Sequence, residues 1–204
     1  MDKATRALVR VSAAIARHDR GGLVGALEDA AVTATARQVE ETLLQSHLFV
    51  GYPAMMQALA LWRDRAGAPD GDHPAEDPAE WERRGEEVCV RVYGGQYRRL
   101  RENVARLHPE LERWMVVDGY GRVLGRPGLD LATRELCIVG LLCAQDAPRQ
   151  LYSHLRGALN AGADPATVET AVREATTALP AERVDAAWRT WRSVTGRTTG
   201  GNEE

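Results

Sequence analysis

Apolar residues recur every three or four positions along most of this chain of 204 residues. In the stretch TRALVRVSAAIAR (5–17), for example, Leu8, Val11 and Ile15 fall on one stripe of a helix. Alternation with a period of two is confined to VCVRVYG (88–94), which is the one short candidate for a strand. The periodicity therefore predicts an all-α fold.

Aspartate and proline residues mark where several of these helices begin. Asp130 has the position of an N-cap for the helix that follows it. Asp146, followed by Pro148, is expected to start a second helix that runs to Asn160. Asp164 then caps a third helix, so this part of the chain is predicted to form consecutive short helices.

The predicted division of the chain rests on the segment AGAPDGDHPAEDPAE (66–80), which is rich in proline, glycine and aspartate. We interpret residues 67–80 as a linker between an N-terminal helical unit (1–66) and a longer C-terminal unit (81–194). The last residues, 195–204, are expected to form a flexible tail.

A shift of 128 residues superimposes the start of one unit on the other. The shared residues are mostly apolar and are expected on the helix faces that pack. We infer an internal duplication of a helical unit. Eight positions match between 5–30 and 133–158: Thr5/Thr133, Arg6/Arg134, Leu8/Leu136, Val11/Val139, Ala16/Ala144, Leu23/Leu151, Leu27/Leu155 and Ala30/Ala158.

The two copies differ at two positions that carry chemistry. Glu135 aligns with Ala7 and His154 aligns with Ala26, so one copy has an acid and an imidazole where the other has methyl groups. This is the pattern expected of one chemical copy and one scaffold copy, although drift would also produce it.

Net charge and hydropathy restrict the classes of partner that this protein is expected to bind. The net charge is −3 and the sequence has no block of basic residues, which argues against a nucleic-acid partner. Arginines interrupt the apolar run at the N-terminus, unlike a signal peptide, and no apolar run approaches the roughly 20 residues of a membrane span. We expect a cytoplasmic protein with neither nucleic acid nor membrane as a partner.

The three cysteines, Cys89, Cys137 and Cys143, form an odd set without a paired pattern. Cys137 and Cys143 are six positions apart, about 120° around one helix. They are too distant for a disulfide and are not spaced as zinc ligands. We predict that these two are buried small hydrophobic residues.

Several motifs, in this order, resemble the carboxymuconolactone decarboxylase family, which includes the AhpD-like alkylhydroperoxidases. They are Gly121, RPGLD (126–130), TREL (133–136) and HLRGALNAG (154–162), and VEETLLQSHLFVGYPAMMQAL (39–59) resembles the end of the same unit. The resemblance implies an AhpD-like helical fold in two tandem copies, a small-molecule substrate, and a homo-oligomer that resembles a trimer or hexamer. No metal and no other cofactor is implied.

The redox branch of this family places two cysteines, spaced C-x-x-C, between a glutamate and a histidine. Counted from Glu135, those cysteines would fall at Ala147 and Gln150, while His154 stands at the expected spacing of 19 residues. The acid and the imidazole are present and both cysteines are absent, so the peroxidase and disulfide-reductase activities do not carry over.

Glu135 and His154 are the candidate catalytic residues. A tight turn at AQDAP joins their helices, so an antiparallel hairpin can bring the two side chains together. A glutamate near an imidazole suits general acid–base catalysis. The alternative is that Glu135 pairs with an arginine and that His154 is a satisfied, partly buried imidazole.

Four further residues are candidates for substrate binding. Arg126, in the loop before the motif helix, is the candidate anchor for a substrate carboxylate. Arg134 has a counterpart in the other copy, and its alternative is a structural pairing. The alternatives for His47 are a capping or core role, and Tyr120 is either part of the core or part of the pocket.

By the resemblance, we expect a carboxy-lyase that decarboxylates or isomerises a small carboxylated lactone or oxo acid. Loss of CO2 would leave a dienolate-like intermediate, stabilised at the lactone oxygen and then protonated on carbon. Two alternatives stay open: a non-catalytic helical oligomer that binds a small molecule or a protein, and a thiol peroxidase that uses Cys137 or Cys143.

Overall fold

The computed structural model describes residues 1–67 and 76–196, and in these ranges the chain forms helices and no strand. No helix there is both long enough and apolar enough to cross a bilayer. The helices are α1 (Lys3–Ala16), α2 (Arg20–Thr33), α3 (Ala36–Ala66), α4 (Pro78–Tyr93), a short 3-10 turn (Gly94–Gln96), α5 (Tyr97–Leu107), α6 (Pro109–Trp114), a π-helix (Met115–Leu124), α7 (Leu131–Gln145), α8 (Pro148–Asn160), α9 (Pro165–Thr176) and α10 (Ala181–Thr195).

The predicted helix starts are correct at two aspartates and wrong at a third. Asp130 and Asp164 cap α7 and α9, each accepting a hydrogen bond at 2.9 Å from the backbone N–H three residues later. Asp146 instead closes α7 in a left-handed conformation, with φ 56°. α8 begins at Pro148 without a side-chain cap, and it ends at Asn160 as predicted.

The predicted strand at 88–94 is wrong, because these residues lie in α4 and the turn after it. Val88, Cys89 and Val92 are all buried. These three positions lie on one side of a helix, whereas a strand would place position 89 on the face opposite to positions 88 and 92. The apolar residues of this segment therefore follow the helical period.

The linker predicted at 67–80 is only partly described. α4 begins at Pro78 with Asp77 as its N-cap, so the end of the segment is helical. Residues 68–75, and residues 197–204 of the predicted tail, lie outside the described ranges.

The helix bounds follow the same shift of 128 residues as the sequence repeat. Adding 128 to the bounds of α1 and α2 gives 131–144 and 148–161, close to the bounds of α7 and α8. α1 and α7 pack against each other. α1 also packs on α9, and α7 packs on α3, which are equivalent contacts under the shift of 128 residues. Residues of the N-terminal and C-terminal units lie in one core, and the duplication stays an inference from the sequence.

α3 is bent, and the π-helix packs unusually closely on α4. The bend lies at Gly51, whose φ of 76° favours glycine. A Cβ at Gly121 of the π-helix would lie 1.9 Å from the carbonyl oxygen of Trp81, and one at Gly85 would lie 2.1 Å from that of Val116. Because neither glycine has a Cβ, the backbones of α4 and the π-helix can come into direct contact. α4 in turn packs on α8, the helix that carries the candidate histidine.

Candidate active site

Glu135 on α7 and His154 on α8 meet across the turn that joins the two helices. The Nδ1 atom of His154 lies 2.8 Å from Oε2 of Glu135. Glu135 has no exposed surface and His154 retains 7% of its own. The hairpin thus brings the two predicted residues into direct contact, and we call them the Glu135–His154 pair.

The surroundings of the pair are tightly packed. A Cβ at Gly157 would lie 2.5 Å from Oε2 of Glu135, so only glycine leaves room for the carboxylate. Phe49 of α3 meets the imidazole edge-on, with ring centroids 5.7 Å apart. Oε1 of Glu135 is buried without a hydrogen-bond partner among the described residues. Such a group is costly, and a catalytic role is one reason for a protein to retain it.

The two nitrogens of the imidazole have different surroundings. Because the Glu135 carboxylate accepts a hydrogen bond from Nδ1, the neutral ring carries its proton there. Nε2 of His154 makes no hydrogen bond to the described part of the chain. In this arrangement the glutamate fixes the orientation and tautomer of the ring, and Nε2 is the atom left to exchange a proton.

Tyr93 on α4 and Tyr120 on the π-helix lie near the pair. Their hydroxyl oxygens are 2.7 Å apart. Burial raises the pKa of both hydroxyls and the charge of Glu135 raises it further, so both tyrosines are protonated at neutral pH. Tyr120, a sequence candidate for substrate binding, is only 4% exposed. No sequence pattern had indicated Tyr93.

A cavity of about 450 Å³ lies between α4, α5 and α8. Tyr93 forms part of its wall, together with Arg99 of α5 and Arg156 of α8. Neither member of the Glu135–His154 pair lines it, and no carboxylate does. The other polar residues of the wall are Gln96, Asn103, Tyr152, Ser153 and Asn160.

Arg134 is fully buried and bound within the protein. Its Nη2 donates to Oε2 of Glu41 at 2.9 Å and to the carbonyl oxygen of Arg126 at 3.0 Å. Its Nη1 donates to Oε1 of Gln45 at 3.2 Å. Burial lowers the pKa of Arg134, and the hydrogen bond to Glu41 opposes this. Arg134 thus has the structural pairing, with a carboxylate on α3 that sequence reasoning missed.

Arg126 and His47 line a second cavity, of about 240 Å³, to which the Glu135–His154 pair does not contribute. Arg126 also binds Glu41, with Nε 3.2 Å and 3.3 Å from its two carboxylate oxygens. His47 donates from Nδ1 to the carbonyl oxygen of Leu44 at 2.6 Å. Arg126 and His47 therefore line one cavity, and neither of them lines the cavity to which Tyr93 belongs.

Cys137 and Cys143 are buried, as predicted, and so is Cys89. Burial raises the pKa of the Cys137 and Cys143 thiols to about 12, and it raises the pKa of Cys89 as well. Reactive cysteines are exposed and have a lowered pKa, because the thiolate is the nucleophile. The thiol-peroxidase alternative therefore has no suitable cysteine in this structure.

The fold and the site define an all-α protein with a buried glutamate–histidine pair on a helical hairpin. Among residues 1–67 and 76–196, no group of three His, Cys, Asp or Glu side chains is placed to hold a metal ion. Residues 109–192, from α6 into α10, match the model of the Carboxymuconolactone decarboxylase family. Comparison with curated protein sequences found no match.

Proposed function

We propose that this protein is a cofactor-free acid–base enzyme that decarboxylates or isomerises a small carboxylated lactone or oxo acid. The observation that carries the proposal is the 2.8 Å contact between Nδ1 of His154 and Oε2 of Glu135. The family of residues 109–192 supports the substrate class, because its name denotes decarboxylation of a carboxylated lactone.

His154 is the proton carrier in this proposal, and Glu135 positions it. The buried carboxylate accepts the hydrogen bond of Nδ1 and keeps the proton of the neutral ring on that nitrogen. Nε2 then serves as a general acid when protonated and as a general base when neutral. The Glu135–His154 pair can therefore both donate and accept a proton at one atom.

Decarboxylation would proceed through an enolate. The electron pair of the bond to the departing carboxylate moves into the conjugated carbonyl group of the substrate, and CO2 leaves. The imidazolium stabilises the negative oxygen that results. The enolate then takes the proton of Nε2 on carbon, and the neutral imidazole regains a proton from water. In isomerisation, Nε2 would instead remove a proton from one carbon and return it to another.

Arg99 and Arg156 are the proposed carboxylate anchors, in place of Arg126. Their cavity, about 450 Å³, falls in the range of small-molecule sites, and no acidic side chain lines it. Tyr93 forms part of the wall and bonds Tyr120. Because His154 does not line this cavity, the proposal requires the reacting carbon of the substrate to extend beyond the wall to Nε2. The guanidinium of Arg126 is instead held by a carboxylate of α3.

The location and assembly expected from the resemblance are proposed as well. We propose a cytoplasmic homo-oligomer, resembling a trimer or hexamer, without nucleic acid or membrane as a partner. Leu107, Leu111 and Trp114 are 76%, 42% and 54% exposed and offer an apolar surface for such assembly. Analytical ultracentrifugation would test it, and a monomer at micromolar concentration would contradict it.

The enzymatic proposal is tested by a screen of carboxylated lactones and oxo acids. Release of CO2 and the absorbance of the unsaturated product are followed for the wild type, His154→Asn and Glu135→Gln. His154→Asn is expected to lower kcat by at least about a hundredfold, the usual contribution of a positioned acid or base. Glu135→Gln is expected to lower kcat, because the imidazole loses the carboxylate that holds its Nδ1–H and fixes its orientation.

Matched controls are available for both substitutions. His108→Asn changes an exposed histidine at the start of α6, and Glu87→Gln changes an exposed carboxylate on α4. Both are expected to leave kcat unchanged. Full turnover in a folded His154→Asn protein would end the acid–base proposal. Ligand binding without turnover of any compound would instead favour the non-catalytic alternative.

A further inference from the structure

The cavity of about 240 Å³ lies where the bend of α3 meets the π-helix. Both irregular segments supply its wall, and π-helical segments are frequent at functional sites. Nothing in the proposed acid–base mechanism uses this cavity. It is lined by Leu44, His47, Tyr52 and Met55 from α3, and by Arg122, Val123 and Arg126 from the π-helix and the loop after it.

The cavity has cationic side chains and no carboxylate in its wall. Arg126 belongs to a group in which Glu41 is the shared partner of three guanidinium groups, those of Arg37, Arg126 and Arg134. Even without Arg37, the two positive charges of Arg126 and Arg134 share this one carboxylate, which leaves the group cationic. Glu76 is also within electrostatic range of Arg126, but it has an arginine partner of its own at 2.6 Å. The charge therefore favours an anionic ligand.

Arg126 and Arg122 retain donors for such a ligand. Arg126 uses Nε and Nη2 to hold Glu41, and its Nη1 makes no hydrogen bond within residues 1–67 and 76–196. Arg122 is 3.5 Å from Asp118 through Nε, and both side chains are partly exposed. Because Arg134 also holds the carbonyl oxygen of Arg126, this loop is fixed before a ligand arrives.

The remaining wall sets the size and polarity of the ligand. His47 packs on the ring of Tyr52, with centroids 5.0 Å apart, and Leu44, Met55 and Val123 add apolar surface. A volume of about 240 Å³ is smaller than the sites that hold drug-sized ligands, which begin at about 300 Å³. The wall thus suits a compact apolar body that carries one anionic group.

We propose that this cavity binds a small organic monocarboxylate with an aromatic or branched apolar body. The carboxylate contacts the free donors of Arg122 and Arg126, and the body packs on Leu44, Met55 and Val123. The site goes beyond the proposed enzymatic function, because its residues belong neither to the Glu135–His154 pair nor to the cavity of Arg99 and Arg156.

Benzoate and its neutral isostere benzamide are the probes for the test. Each is titrated into the full-length protein while the Cε1–H resonance of His47, assigned with His47→Gln, is followed by NMR. Benzoate is expected to shift this resonance saturably. Benzamide is expected to bind roughly ten- to a hundredfold more weakly, because it lacks the charge that strengthens hydrogen bonds to arginine.

Arginine variants locate the carboxylate. Arg122→Gln is expected to weaken benzoate binding by about tenfold, the loss of one charged hydrogen bond. Arg126→Lys keeps the charge and loses the fork, so it is expected to weaken binding as well. Arg91→Gln, at an exposed position of α4 outside the wall, is the matched control and should leave the affinity unchanged.

Several outcomes would overturn the proposal. They are the absence of a saturable shift, equal affinity for benzoate and benzamide, and unchanged benzoate affinity in a folded Arg122→Gln protein. Loss of binding in Glu135→Gln would also overturn it, because the site is proposed to work without that residue. A failed lactone screen leaves this titration unaffected, so the two proposals fail separately.

Discussion

Gly157 faces the carboxylate of Glu135 so closely that a single methyl group would disturb it. A Cβ there would lie 2.5 Å from Oε2 of Glu135 and 2.8 Å from Cγ1 of Val92. The oxygen cannot move aside without stretching its 2.8 Å contact with His154. Val92 is buried and β-branched, and therefore stiff. Gly157→Ala is expected to strain both neighbours and to displace the carboxylate.

Two opposing contributions set the expected change in stability. Overpacking a dense interior costs about 1–3 kcal/mol, whereas replacing glycine by alanine inside a helix stabilises by about 1 kcal/mol. Gly157→Ala is therefore expected to destabilise by about 0–2 kcal/mol. Gly25 of α2 is the matched control, because a Cβ there has no neighbour within 4 Å. Gly25→Ala is expected to stabilise by about 1 kcal/mol.

Thermal and chemical denaturation of the two variants measure the difference. A chain of this size shifts its melting temperature by about 2–4 °C per kcal/mol, so a gap of about 1–3 kcal/mol separates the variants by about 2–12 °C. On the proposed function, kcat should also fall in Gly157→Ala and not in Gly25→Ala. Equal stabilisation by both substitutions would show that the carboxylate is not confined as described, and would refute the reasoning.

Three further predictions concern the core, the thiols and a helix cap. Glu41→Gln removes the counter-charge of the fully buried Arg134 and should destabilise by about 3–5 kcal/mol in urea denaturation; a loss below 1 kcal/mol, the usual value of an exposed pair, would contradict this. Because burial raises the pKa of Cys137 and Cys143 to about 12, a disulfide reagent at pH 8 should modify them far more slowly in the native than in the unfolded protein, and fast native labelling would reopen the peroxidase alternative. The backbone N–H of Thr5 lowers the pKa of Asp2, so Asp2 contributes stability that is complete above its ordinary value of 3.8 and lost as the pH falls through the lowered one. Asp2→Asn keeps a good cap and should melt like the wild type at pH 7 but lose less stability in acid, and identical acid profiles would contradict the assignment.

The parts of the fold and site that sequence predicted depend on neighbours along the chain. Asp130 caps α7 through a backbone group three residues away. Glu135 and His154 are 19 residues apart, and the short turn between their helices leaves little choice of geometry. The segment 88–94 shows the weakness of this approach, since valines at alternate positions imitate a strand when the partner helix is not known.

The parts that sequence did not predict depend on contacts between distant segments. Glu41 holds Arg126 and Arg134 from 85 and 93 residues away, and no local pattern links a carboxylate on α3 to arginines of the motif. A motif arginine is therefore as compatible with a structural role as with substrate binding. Tyr93 was missed for the same reason: its partner Tyr120 is 27 residues away.

The carboxylate of Glu41, shared by several arginines, also affects how the protein folds during translation. Arg126 follows Glu41 by 85 residues and Arg134 follows it by 93. At about 5–20 residues per second, translation needs roughly 5–20 s to supply them. During that interval Arg37 is the one of these three arginines already present beside Glu41, and the first helix lacks α7 to cover it. The N-terminal unit therefore remains incompletely folded, and accessible to chaperones, until the C-terminal unit emerges from the ribosome.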